Sequence, residues 1–189
     1  TKVVNSQTLN DINKSIRLSY DSVALWKEKH HYYYLENKLE FLNTQNEWFY
    51  DTNDNYLHVW LKDNSVPTLS NIRAKVQSYS LYITNPNVRI SNINFFSTTL
   101  KGNNSDNLYV NDCNFMYPSC SKRMLRTVDT EPEMTKFASG SSGSTIRKCA
   151  FRNTDGTALE MWGGVDTVDN CYFNKIDYSV ADNSSIMLT

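Results

Sequence analysis

A short apolar pattern that recurs four times in the second half of the chain limits the folds that this sequence can adopt. Each copy has an apolar residue, two polar residues, a Cys or Ile and, two positions later, a Phe. Successive copies lie 20, 36 and 22 residues apart, so one interval carries an insertion. The aligned columns are Ile90, Val110, Ile146 and Val168; then Ile93, Cys113, Cys149 and Cys171; then Phe95, Phe115, Phe151 and Phe173.

A repeat of this length, made of short alternating segments between Asn, Asp and Gly corners, predicts a solenoid. Leucine-rich repeats have a similar length, but they require a leucine consensus that this sequence lacks. We therefore predict an all-β fold, a right-handed single-stranded parallel β-helix with coils of about 20–22 residues. Each coil contributes three short strands, and equivalent residues stack ~4.8 Å apart along the axis.

A fourth column is expected at the corner between the Ile/Val strand and the Phe strand. Asn and Asp suit such a corner, because their side chains bond neighbouring backbone and tolerate a left-handed φ. A lysine in one coil is the exception, and at its level a ladder of asparagine-type side chains is expected to be interrupted. The column is Asn92, Asp112, Lys148 and Asn170.

The repeat resembles the right-handed parallel β-helix proteins of the pectate-lyase-like superfamily. Residues 39–42, 47–51 and 56–61 resemble a segment common in carbohydrate-active members, and the resemblance extends from about residue 34 to the C-terminus. It implies a polysaccharide or oligosaccharide partner and a secreted, periplasmic or cell-surface location. It does not choose a reaction, because lyases, glycosidases, tailspikes and adhesins all use this coil.

Composition agrees with a single extracellular-type β domain over residues 1–189. The chain is 40% apolar and 21% charged, which is enough to bury a sizeable core. Its net charge of −1 gives no reason to expect nucleic acid or an anionic membrane as a partner. No apolar run approaches the ~18 residues of a membrane span. We expect a fragment or processed form of a longer protein, since neither an initiator Met nor a signal sequence is present.

Two segments precede the regular coils, which we place at residues 88–189. Residues 1–31 are an uncertain N-terminal extension, for which a short helix or an edge extension fits the apolar spacing. Aromatic and polar residues alternate around an Asn/Asp turn and predict a β-hairpin over residues 47–61. The hairpin aromatics Trp48, Tyr50, Tyr56 and Trp60 are candidates for a sugar-stacking face, or alternatively they cover the side or end of the coils.

The cysteines and histidines predict neither a disulfide framework nor a metal site. Cys113, Cys149 and Cys171 share one inward column, where parallel stacking aims the side chains in the same direction and suits a disulfide poorly. His30 and His31 are adjacent, but they lack Cys, Asp or Glu at ligand spacing. No cofactor is therefore certain, although Ca²⁺ held by clustered carboxylates is a candidate.

Residues 117–144 form the insertion, and insertions in solenoids map to loops on one face that often carry function. Its basic start contains Lys122, Arg123 and Arg126, which we expect to hold an anionic group of a glycan. Its Ser/Gly-rich end, residues 139–144, is expected to be mobile. A solvated loop without a role is the alternative.

Four carboxylates recur at fixed distances after the Phe column. Asp155 and Asp177 follow it by four residues, and Glu160 and Asp182 follow it by nine. If the coils stack without a bulge, each pair lies in register, about one strand spacing apart. Glu160 is expected to face outward because its neighbours are apolar. We therefore take Asp155, Glu160 and Asp177 as candidate catalytic residues and Trp162 as a candidate substrate contact.

Several chemistries fit such a cluster. Two carboxyls ~5 Å apart suit retaining glycoside hydrolysis, and ~6.5–9.5 Å suits inverting hydrolysis. Lys or Arg acting as base against a Ca²⁺-bound uronate would be lyase chemistry instead. The alternative is that these acids are turn formers and solvated strand residues, as Asp155-Gly156 would be in an ordinary turn. Two function classes stay open: a glycoside hydrolase or polysaccharide lyase, and a non-catalytic glycan-binding, adhesin-like or structural module.

The C-terminal residues 184–189 read as the start of another strand with no polar cap after it. Solenoids need capped ends to stay soluble. We therefore expect an open or partner-covered C-terminal edge, with the oligomeric state left undetermined.

Overall fold

The computed structural model describes residues 38–119, 133–177 and 184–188, together with the backbone of residues 3–10 and 15–20. The chain divides into two compact units, Thr1–Glu36 and Asn37–Thr189. In the first unit, β1 (Val3–Asn10) and β2 (Ser15–Tyr20) pair antiparallel. The described part of this segment therefore contains strands rather than the short helix offered as one expectation. A single domain over the whole chain stays a prediction.

The second unit begins with the predicted hairpin. Strand β3 (Glu47–Asp51) pairs antiparallel with β4 (Tyr56–Trp60), and the connecting turn contains Asn55 at φ +63°. Three-residue 3₁₀ turns, Leu39–Phe41 and Lys62–Asn64, flank the two strands. The hairpin prediction is confirmed, and the sharp turn uses the Asn residues that the sequence offers for a left-handed φ.

The register of this hairpin contradicts a shared aromatic face. Directly opposed residues of an antiparallel pair lie on the same side, and successive residues along a strand alternate sides. Trp48 and Tyr50 point to one side of β3. Tyr56 and Trp60 pair with Asp51 and Glu47, the two end residues of β3, and these point to the other side. The four aromatics therefore cannot stack on one sugar together.

Three parallel sheets make up the rest of the unit. Sheet A contains β6 (Arg89–Ser91), β9 (Tyr109–Asn111), β12 (Thr145–Arg147) and β15 (Thr167–Asp169). Sheet B contains β7 (Asn94–Phe96), β10 (Asn114–Met116), β13 (Ala150–Arg152) and β16 (Tyr172–Asn174). Sheet C contains β5 (Tyr79–Ile83), β8 (Thr99–Gly102), β11 (Thr135–Phe137), β14 (Leu159–Met161) and β17 (Ile186–Leu188). From β6 onward the chain visits A, B and C in that order four times, and strands from successive passes stack in parallel.

The core between the sheets is built from the predicted columns. In sheet B, Phe95, Phe115, Phe151 and Phe173 stack face to face with ring centroids 4.6, 4.7 and 5.1 Å apart. The first three rings are buried and the last is partly buried. Burial of each such ring stabilises the fold by roughly 2–3 kcal/mol. The aligned, parallel stacking that the sequence predicts is therefore confirmed for this column.

The Cys column also lies against the core, and its thiols are free. Cys113 and Cys149 are buried, and Cys171 is partly buried in the last described coil. Each thiol donates a hydrogen bond to a backbone carbonyl two residues earlier. Ile93, which occupies this column in the first coil, is exposed instead.

The corner residues between sheets A and B all have left-handed backbones, with φ between 49° and 59°. Lys148 adopts this conformation although it pays the usual cost of about 1–2 kcal/mol for a residue with a Cβ. Its N–H donates to the Asp169 carbonyl of the next coil at 3.0 Å, so stacking of the backbone imposes the conformation. Two more left-handed columns recur at the same spacing: Ser97, Tyr117, Asn153 and Lys175; and Asn87, Asn107, Gly143 and Val165.

The predicted insertion is shorter than residues 117–144, because β11 lies inside it as a regular strand of sheet C. Its Ser/Gly-rich end is a packed corner rather than a mobile linker. Ser141 is buried and its Oγ lies 3.1 Å from the Ser105 Oγ of the preceding coil. Gly140 has φ +80°, and a Cβ there would meet Asn104 Oδ1 at 2.2 Å. The variable connection is therefore residues 117–134.

Candidate functional site

The outer face of sheet C gathers polar and aromatic side chains in one row. Because side chains alternate along a strand, the inward positions of β11 and β14 carry the buried residues Thr135, Phe137, Leu159 and Met161. The central residues of these strands then face away from the core. Parallel pairing aligns the row as Tyr82, Lys101, Lys136 and Glu160. We call these four residues the outer row.

At one end of the outer row, Glu160 is held by two partners. The Lys136 ammonium lies 2.6 Å from Glu160 Oε2, and the Trp162 indole N–H donates to Glu160 Oε1. The same ammonium lies 4.8 Å from the centroid of the Trp162 ring. The Glu160 side chain is only 4% exposed, whereas Trp162 is 46% exposed. The carboxylate is thus fixed beneath a lysine, beside an accessible indole face.

This geometry corrects one expectation for Glu160. Its direction, away from the core, follows the predicted alternation, but the side chain is covered rather than solvated. Removing a covered charge leaves its partner unpaired, which is costly. Replacement of Glu160 should therefore affect stability as well as any activity. The ammonium also occupies one side of the carboxylate, so its described contacts do not suit a Ca²⁺ ion.

At the other end of the outer row, Lys101 lies over two tyrosines. Its Nζ is 5.6 Å from the Tyr82 ring centroid and 5.8 Å from that of Tyr79. Burial raises the pKa of Tyr79 to about 12, and the negative charges of Glu133 and Glu160 add to the effect. The Tyr79 phenol therefore keeps its proton at neutral pH and remains a hydrogen-bond donor.

The two candidate aspartates follow the sheet B strands. Asp155 lies in the connection between β13 and β14, is buried, and donates its backbone N–H to Ser119 Oγ at 3.2 Å. Asp177 is partly buried, has φ +52°, and donates its N–H to Thr154 Oγ1 at 3.3 Å. Each aspartate follows the end of its sheet B strand by three residues. Convergence of Asp155, Asp177 and Glu160 into one catalytic site stays a prediction.

Several predicted residues lie outside the described part of the chain. These are the three basic residues of the insertion, the fourth carboxylate of the proposed columns and the histidine pair: Lys122, Arg123, Arg126, Asp182, His30 and His31. Their assignments stay predictions.

Sequence reasoning found Glu160 and Trp162 but missed the rest of this surface. Lys136 fell inside the supposed insertion, and Tyr79, Tyr82 and Lys101 precede or lie outside the repeated columns. One signal was available, since Glu160 and Trp162 are two residues apart and such neighbours share a side of an extended strand. Lys136 could be identified as the partner of Glu160 only from the strand register of sheet C.

No protein-family model, curated protein or solved structure matches this chain. Within the part of the chain that the structure describes, no helix has the length and apolarity of a membrane span.

Proposed function

We propose that this chain is a right-handed parallel β-helix protein of the pectate-lyase-like type that acts on an extracellular polysaccharide. The fold proposal is supported by the repeated order of sheets A, B and C and by the in-register columns of the core. A solenoid of this kind offers long, flat faces to an extended ligand. The outer face of sheet C combines aromatic and charged side chains in one row.

The observation that carries the functional proposal is the outer row with its neighbouring indole. Trp162 and Tyr82 expose aromatic faces, which pack against the apolar side of pyranose rings. Lys136 is paired with Glu160, so the net positive charge of the row comes from Lys101, and this charge favours a sugar bearing a carboxylate or sulfate. From Tyr82 to Glu160 the row spans three strand spacings, or roughly 14 Å. We propose that an anionic oligosaccharide segment lies along this row.

We further propose that the bound glycan is cleaved, by hydrolysis or by elimination, with Glu160, Asp155 and Asp177 as the reacting carboxylates. Lys136 and Trp162 orient the Glu160 carboxylate, which could then act as base or nucleophile. Tyr79 keeps its proton at neutral pH and is a candidate hydrogen-bond donor to the bound glycan at the end of the row opposite to Glu160. The basic insertion residues Lys122, Arg123 and Arg126 would hold the anionic group.

One observation favours the second function, a non-catalytic glycan-binding module. Both carboxylate oxygens of Glu160 already have partners within the protein, Lys136 at Oε2 and Trp162 at Oε1. A carboxylate engaged in this way can serve to hold the lysine and indole in place for binding alone. The two functions share the same face and differ in whether product appears.

Binding is tested by affinity electrophoresis and calorimetry on a panel of uronate-containing, sulfated and neutral polysaccharides. Trp162→Ala should weaken binding by about 1–2 kcal/mol, or roughly tenfold, through loss of the aromatic contact. Trp48→Ala is the matched control, because Trp48 is 41% exposed on the hairpin rather than beside the outer row. Equal losses in the two variants would contradict the proposed face.

Cleavage is tested on the same panel by reducing-end and unsaturated-product assays. At a temperature where the variant is folded, Glu160→Gln should lower turnover by about 10²-fold or more, which is a larger loss than any weakening of glycan binding through Lys136 and Trp162. Asp155→Asn should have a similar effect if the carboxylates converge. Full activity of both amide variants would refute this catalytic site. Binding without product supports the glycan-binding module, and absence of both supports a structural module.

A further inference from the structure

The hairpin carries a group of metal-ligating side chains that is separate from the outer row. Asp51 ends β3, Asp54 lies in the turn, and His58 is the central residue of β4. One ligand atom from each residue lies within 4.8 Å of the others. We call these three residues the hairpin triad. Asp51 and His58 lie on the same side of the hairpin, because their strand positions have the same parity.

Hydrogen bonds hold both carboxylates of the triad in place through one oxygen each. Asp51 Oδ1 accepts from the N–H and the side-chain amide of Asn53, both at 2.9 Å. Asp54 Oδ1 accepts from the Tyr56 N–H at 2.9 Å. Partners of this kind orient metal ligands and reduce the freedom they lose on binding. The second oxygen of each carboxylate is left with ligand capacity, since a carboxylate accepts through both oxygens.

The imidazole of His58 is positioned across the strand pair. Its ring lies 6.1 Å from that of Phe49, the residue directly opposite in β3. Within the described part of the chain, no ion pair at 4.0 Å or less joins the imidazole to either aspartate. The ligand nitrogen of His58 therefore lies more than 4.0 Å and at most 4.8 Å from the ligand oxygen of each aspartate. A metal ion about 2.0–2.2 Å from each ligand would fit between them after small side-chain movements.

We propose that the hairpin triad binds a divalent first-row transition metal of the Zn²⁺ class. Two carboxylates and one imidazole are ligands that such ions accept, and three protein ligands leave a position open for water. Ca²⁺ is the wrong occupant, because it takes six to eight oxygen ligands and does not favour imidazole. The site is local in sequence, so it would bind and stabilise the hairpin whether or not the outer row binds glycan.

The test uses the full chain, with calorimetry for Zn²⁺ and visible spectroscopy for Co²⁺ as a coordination probe. The expected result is saturable binding of a single ion, with Co²⁺ bands characteristic of mixed nitrogen and oxygen ligands. Excess Ca²⁺ should not displace the bound ion. Zn²⁺ should also raise the melting temperature, because it binds only the folded site.

Three variants locate the site. His58→Gln should weaken Zn²⁺ binding about tenfold or more and abolish the Co²⁺ bands, and Asp54→Asn should weaken binding while retaining the acceptor oxygen for Tyr56. The double variant H30Q/H31Q is the control, since it removes the other two histidines of the chain. Unchanged binding in this control supports the proposal. Loss of binding in the control but not in His58→Gln overturns it, as does absence of binding to the parent chain or displacement by Ca²⁺.

Discussion

The connection from sheet A to sheet B is constant, whereas the connection from sheet B to sheet C varies. Between A and B the connection is a left-handed residue followed by a Cys or Ile, and it has the same length in every coil. Between B and C the connections are residues 97–98, 117–134, 153–158 and 175–185. The constant corner fixes the core columns, whereas the variable connections all border sheet C.

This difference indicates which connections can change in length without disturbing the packing of the core. Loops of different length cost little extra free energy, because closure entropy rises only slowly with length. The strands of sheets A and B can therefore keep their pairing while the connections next to sheet C vary in length. The outer row lies on the sheet next to those variable connections, which is where binding residues are expected in a scaffold of rigid strands.

Truncation of a central ring in the Phe column of sheet B should have the largest effect on the free energy of unfolding. Phe151→Ala should lower the free energy of unfolding by about 3–5 kcal/mol, because the ring is fully buried between two others. Phe173→Ala should cost less, since that ring is partly buried. Urea unfolding measures both. If Phe151→Ala lowers the free energy of unfolding by less than Phe173→Ala does, the central rings of the Phe column do not stabilise the fold more than the last ring.

The return corner from sheet C to sheet A offers a matched pair of glycines. A Cβ at Gly163 would meet the Ser141 carbonyl oxygen at 2.1 Å, whereas a Cβ at Gly164 has only Ser142 Oγ at 3.9 Å. Gly163→Ala should therefore destabilise the protein by about 1–3 kcal/mol through overpacking. Gly164→Ala should be nearly neutral in the same unfolding experiment. Equal effects of the two substitutions would mean that the backbone at this corner moves to accommodate the added Cβ.

The same corner contains a residue that is poorly suited to its backbone. Val165 is β-branched and exposed, yet it has φ +63° in the column shared with Asn87 and Asn107. Val165→Asn should raise the free energy of unfolding by about 1 kcal/mol, because Asn tolerates this conformation. Val66→Asn is the control, an exposed valine absent from the positive-φ positions. Stabilisation by the control alone would contradict the strain argument.

The last effect depends on pH and concerns sheet C itself. The pKa of Tyr79 is raised to about 12 from an ordinary value near 10, so the folded state favours the protonated phenol. That contribution to stability is fully present below pH 10 and is lost as the pH rises from about 10 to 12. Tyr79→Phe should remove this part of the alkaline decline. Denaturant titrations at pH 9 and above compare the two proteins, and identical curves would show that burial does not control this phenol.

The fold was predictable where residue type and position repeat together. The Phe column and the corner at Asn92, Asp112 and Asn170 could be read from the sequence because each position has the same neighbours in every coil. Sheet C could not be read in this way, since its strands follow connections of unequal length. Lys136 was therefore assigned to an insertion rather than to a strand.

The candidate site was predictable only in part for the same reason. The alternation around Glu160 gave its direction, but its burial depends on Lys136, which is distant in sequence and becomes a neighbour through strand pairing. The hairpin shows the opposite case. Its register splits Trp48 and Tyr50 from Tyr56 and Trp60, although composition suggested a common face.

The recurring left-handed corners give this molecule a natural unit of growth. Gly143 and Val165 are equivalent positions of consecutive coils, so the chain between them is a complete turn that begins and ends with the same backbone geometry. Duplication of such a segment in a gene would add one level without altering the pairing of its neighbours. Each added level would extend sheet C by ~4.8 Å. The number of coils would then set the length of the outer row, and with it the length of the glycan segment that we propose binds there.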